Sequence, residues 1–137
     1  MVNKEVLYQK INIIEDNLKK LEELASLPEQ DFLSKFYYIE SAKYLLQISI
    51  EAMLDIANHI IARRNYGTPK TYAESFIILV EKGILPGDKK NTFVRMAKFR
   101  NRIVHLYHQV DDKEVHRIVK VSLDDFRDFI NAVTTDL

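Results

Sequence analysis

The fold turns on residues 29–64, EQDFLSKFYYIESAKYLLQISIEAMLDIANHIIARR. Phe32, Phe36, Ile39, Leu46, Ile50, Met53, Ala57 and Ile60 recur at helical spacing and make one apolar stripe. Tyr38, Ala42, Leu45, Ala52 and Ile56 make a second stripe beside it. A helix that is apolar on two sides sits at the centre of a bundle, or is shared between a bundle and a partner chain. One unusually long helix is therefore predicted here.

The flanking segments supply helices to pack around it. Residues 4–25 carry Leu7, Ile11, Ile14, Leu18, Leu21 and Ala25 in alternating steps of four and three. A third helix, over 72–82, opens on the capping box Thr71-x-x-Glu74 and stops at Gly83. A fourth spans 88–106, and a fifth spans 112–134 with Val115, Val119, Phe126, Ile130 and Val133 in register. Ser122 can interrupt the fifth, because Ser-x-x-Asp recaps a helix. The punctuation is sparse: Pro28, Gly67-Thr68-Pro69, Gly83 and Pro86-Gly87. The expected architecture is all-α, an antiparallel up-and-down bundle of about five helices forming one domain over residues 1–137.

Composition narrows the function classes. The chain has no cysteine, so disulfide frameworks, zinc knuckles and thiol nucleophiles are out. Three glycines are too few for a glycine-rich phosphate loop. No apolar run reaches membrane-spanning length, and Met1-Val2-Asn3-Lys4-Glu5 lacks a signal peptide's apolar core, so a cytoplasmic protein without membrane partners is expected. Twenty basic side chains balance twenty acidic ones, but unevenly along the chain. Residues 88–102 are net +5, and residues 111–137 are net −3.

The basic segment breaks the apolar pattern. On a helical wheel Phe93, Met96, Ala97, Ile103, Val104 and Tyr107 share one face, and Arg100 falls in its middle. An arginine there must be paired or must face a wet cleft. In a regular helix Arg100 and His105 sit about 140° apart and share no site. They act together only if the helix ends near His105, or if two copies meet across a symmetry axis. The polar residues after Tyr107 place a helix end close by.

A second polar group lies on the long helix. Glu51, Asp55 and Asn58 share a face, with His59 next to it. Asp55 and His59 at i, i+4 are too few for a metal site, so no metal and no cofactor is expected. A buried network, or a lining of the same cleft as the fourth helix, fits them better. His108 and His116 read as surface or helix-start residues, and Tyr37, Tyr38, Tyr44 and Tyr66 as core edges.

Arg100-Asn101-Arg102-Ile103-Val104-His105-Leu106-Tyr107 resembles the Arg-x4-His-x-Tyr motif of HepT-like proteins in the HEPN superfamily. The polar Asn101 directly after the arginine also resembles that pattern. Similar stretches are Glu51-x3-Asp55-x2-Asn58-His59, Tyr72-x3-Phe76 with Leu79, and Val110-Asp111. The resemblance implies a metal-independent endoribonuclease toxin, a homodimer whose two motifs face one cleft, and an MNT-type nucleotidyltransferase antitoxin as partner. It implies Arg100 and His105 as the catalytic pair and Tyr107 as the site of AMP modification.

The residue types suit that chemistry. Histidine exchanges protons near neutral pH, and arginine holds a phosphate with a planar fork that stays charged. Lys98, Asn101 and Arg102 are candidates for phosphate or RNA binding, and Asp55, Asn58 and His59 for support. Another reading is a non-catalytic nucleotide- or substrate-binding subunit of a two-component nucleotidyltransferase. A third is a helical dimer with a purely structural Arg100–carboxylate pair, in which substituting Arg100 unfolds the protein.

Overall fold

The computed structural model describes residues 1–137 as seven α-helices with no strand. They are α1 (Lys4–Ala25), α2 (Glu29–Ser34), α3 (Phe36–Arg63), α4 (Tyr72–Glu81), α5 (Lys90–His105), α6 (Asp112–Val121) and α7 (Leu123–Asp136). Short 3-10 turns at Gly87–Lys89 and Tyr107–Gln109 flank α5.

The all-α prediction holds, with two of the expected helices split. Residues 29–64 break at Lys35, whose backbone is extended, so α2 folds separately and Phe36 is left 76% exposed. The last helix breaks at Ser122, as its sequence allows, but the Ser122 side chain caps nothing. Helix starts follow the capping chemistry elsewhere. The Asn3 side chain accepts from the Glu5 and Val6 amides, Thr71 from the Glu74 amide and Asp111 from the Lys113 amide. Gly83 closes α4 with φ +76°, a conformation that favours glycine.

Helix α3 is the axis of the bundle. Both of its apolar stripes are buried within the chain, from Ile39, Leu46 and Ile50 on one to Ala42, Leu45 and Ile56 on the other. Its two-sided apolarity is thus accounted for mainly by packing inside one chain. By length and hydropathy α3 is also apolar enough to cross a membrane, contrary to the reading of uninterrupted runs, yet 61% of its most apolar window is buried in the bundle. Phe76 of α4, Phe93 of α5 and Phe129 of α7 meet with ring centroids 5.7–6.0 Å apart. This cluster fixes α4 and α5 against α7. His116, expected at the surface or at a helix start, is buried in α6 on the Phe32 ring.

Candidate ribonuclease site

The functional residues are set by where α5 ends. It stops at His105, and Leu106 turns the chain with φ −130° and ψ 39°. The chain then makes the 3-10 turn that carries Tyr107. His105 is itself the last helical residue, so it stays about 140° from Arg100 around α5.

Arg100 falls within the buried face of α5, which is made by Phe93, Ala97, Phe99 and Ile103, as the wheel predicts. Val104, placed on the same face by the wheel, is exposed. Its side chain is 15% exposed and it is paired, as a buried arginine must be. Nε donates to Glu51 Oε2 at 3.0 Å, and Nη2 is 2.9 Å from the same oxygen. Gln47 donates to that oxygen at 3.2 Å. The guanidinium carbon lies 4.7 Å from the Tyr72 ring centroid, and Nη1 donates to Asn101 Oδ1 at 3.3 Å. Five N–H groups in a rigid fork leave Arg100 donors beyond these bonds.

Asn101 and His105, one helical turn apart, line a groove of about 720 Å³ with Asn58, Ser75, Tyr72 and the 67–71 loop. Asn58 accepts from the Ser75 hydroxyl at 2.7 Å, which orients its amide there. His105 is exposed and makes no hydrogen bond within the chain. Arg100 meets this groove through Asn101 and Tyr72, not through direct contact with His105.

The other candidates are dispersed. Glu51 and Asn58 reach the Arg100–His105 region, but Asp55 pairs with Lys10 of α1 at 3.0 Å. His59 Nε2 accepts from the Asn3 amide at 3.0 Å. Burial, then the Arg63 cation and the N-terminal amine, push the His59 pKa down. The expected shared polar face therefore divides between two sides of α3. Lys98 and Arg102 lie on another flank of α5, along a cavity of about 610 Å³ with Arg95, Glu114 and Arg117. Arg102 binds Glu114 in a two-pronged pair at 2.9 and 2.5 Å, which raises the arginine pKa.

Tyr107 is half-buried, with the Lys43 ammonium 4.4 Å from its ring centroid and His108 packed edge-on. Sequence reasoning missed Lys43, Tyr72 and Ser75. Lys43 had a signal: it fills the seven-residue gap between Ile39 and Leu46 in the first stripe of α3.

Comparison with known proteins shows the family of the chain. The profile of the family described as "Ribonuclease HepT-like" matches residues 14–133. The chain is 27% identical over 132 residues to the "mRNA nuclease HepT" of Shewanella oneidensis, covering 96% of this chain and 98% of that one. It is 29% identical over 122 residues to the "tRNA nuclease HepT" of Aphanizomenon flos-aquae, covering 89% and 81%. Among solved structures, a tri-AMPylated Shewanella oneidensis HEPN toxin in complex with MNT antitoxin superposes with a TM-score of 0.87 at 27% identity, covering 95% of this chain and 97% of that one.

Proposed function

The chain belongs to the HepT-like ribonuclease family, and from that premise we propose that it is a metal-independent endoribonuclease, the toxin of a toxin–antitoxin pair. The observation that carries the reading is the groove that Asn101 and His105 line from one face of α5, beside the paired Arg100. Arg100 is preorganised by Glu51 and Tyr72, so its remaining N–H groups meet a phosphate at little reorganisation cost. His105 is unencumbered and open to solvent, as a group that exchanges protons with substrate must be.

In this reading the RNA supplies its own nucleophile. The 2′-oxygen attacks the adjacent phosphorus, its proton passes to a base, and the bond from phosphorus to the 5′-oxygen breaks. A proton delivered to that leaving oxygen completes the step. One histidine cannot be base and acid at once, so a homodimer that faces two motifs across one cleft supplies both. Phe36, Tyr37 and Tyr44, exposed along the N-terminal half of α3, support a second copy as partner. The work is done in the cytoplasm, where RNA is the substrate.

The likeness to a toxin bound by MNT antitoxin supports a nucleotidyltransferase antitoxin for this chain too. Its action would be AMP transfer to Tyr107. The phenol oxygen attacks the α-phosphorus of ATP, loses its proton, and pyrophosphate leaves. The adduct adds negative charge and bulk at the RNA site and so blocks it.

The test is the chemistry of the product ends. Purified protein in excess EDTA is expected to cut labelled RNA into fragments with 2′,3′-cyclic phosphate and 5′-hydroxyl ends. RNA that is bound but not cut would instead favour the non-catalytic binding subunit.

A further inference from the structure

Lys43 is the one lysine, arginine, aspartate or glutamate buried in the bundle. It lies on the core-facing side of α3, 4% exposed, where an uncharged residue would pack without penalty. Its ammonium has three donors, yet it makes no hydrogen bond within the chain. The Asp112 carboxylate is 3.7 Å away, close enough to attract and too far to accept a hydrogen bond. The group rests instead against the Tyr107 ring, 4.4 Å from its centroid.

We propose that Lys43 is a phosphate-binding residue, its ammonium placed to hold a phosphodiester at Tyr107. The inference rests on the ribonuclease reading, because it takes Tyr107 to lie where RNA or AMP is bound. A phosphate hydrogen-bonded or joined to the phenol oxygen would sit on the ring that Nζ already contacts, and lysine is a point charge on a flexible stem. Binding would exchange an aromatic face and a long carboxylate contact for a short charge-assisted hydrogen bond. Two sources offer the same chemistry, a phosphate of the RNA strand and the AMP phosphate on Tyr107. A purely structural lysine, tethering α3 to the start of α6, is the competing account.

The experiment has two arms, each run on Lys43→Met, which keeps the stem and removes the charge, and on Lys43→Arg, which keeps the charge. In the first arm labelled RNA is titrated into uncleaving His105→Ala protein. Lys43→Met is expected to weaken binding about three- to tenfold and to make its salt dependence shallower by about one counterion, with Lys43→Arg largely restoring both. In the second arm the proteins carry AMP on Tyr107, added by an MNT nucleotidyltransferase. Modification is expected to raise the melting temperature of the Lys43 protein relative to its Lys43→Met counterpart. An effect in either arm supports the proposal and identifies the source of the phosphate. Unchanged RNA affinity together with an unchanged melting increment, in folded Lys43→Met protein, overturns it. RNA binding is read without cleavage, so the proposal stands if the wild type binds through Lys43 and cuts nothing.

Discussion

Arg100 owes its position to Glu51, which spends one carboxylate oxygen on Nε, Nη2 and the Gln47 amide. Glu51→Gln removes the charge that orients the guanidinium while keeping its shape. Cleavage is expected to fall about tenfold, with a stability loss of about 1 kcal/mol by urea unfolding. An unchanged rate would show that Arg100 needs no partner to work. The two residues lie 49 apart in sequence, so a lone arginine in an apolar region showed that a partner must exist, but not which one. His59 acts differently. It is a hydrogen-bond acceptor whose pKa is lowered in the fold, so the folded protein favours the neutral ring more than the unfolded chain does. Its contribution is complete above about pH 6.5 and is lost as pH falls through the lowered folded value. His59→Gln, which keeps an acceptor, is expected to flatten the decline in melting temperature below that pH. Parallel wild-type and variant profiles would remove His59 from the acid response.

Helix ends decide the site more than helix faces do. The caps at Thr71 and Asp111 were legible, because a short polar side chain before an apolar run satisfies free amides. Thr71→Ala is expected to destabilise by about 1 kcal/mol. Gly83→Ala should cost a similar amount, about 1 kcal/mol, because a Cβ there meets nothing and only the positive φ is strained. Chemical denaturation of both variants checks this, and a Gly83→Ala protein as stable as wild type would contradict it. The break at Lys35 was not legible, since no glycine or proline marks it. The wheel also overstated α5. It extended the apolar face to Val104, which is exposed, and left out Phe99, which is buried, but it placed Arg100 correctly within the buried face. The end of α5 that sequence reasoning identified is present, but His105 is still helical, so one chain alone does not bring it to Arg100.

At the scale of the molecule, the central place of α3 followed from its two stripes, because a helix apolar on two sides has nowhere else to go. Which polar residues of α3 meet the site did not follow. Asp55 and His59 turn to α1 and its cap, while Glu51 and Asn58 turn to α5 and α4. A composite cleft predicts a homodimer of about twice 16.1 kDa by light scattering. It also predicts that a mixed dimer of one wild-type and one His105→Ala chain is as inactive as the His105→Ala homodimer, because base and acid come from different chains. Half of the wild-type rate in a verified mixed dimer would place a complete site in each chain. The central claim is that RNA cleavage runs through His105 without a metal, and single-turnover cleavage of labelled RNA in excess EDTA tests it most directly. Because His105 is exposed and unbonded, His105→Ala should melt with the wild type. Its rate is expected to fall about 10²- to 10⁴-fold, with RNA affinity retained. Equal rates for His105→Ala and wild type would contradict the account.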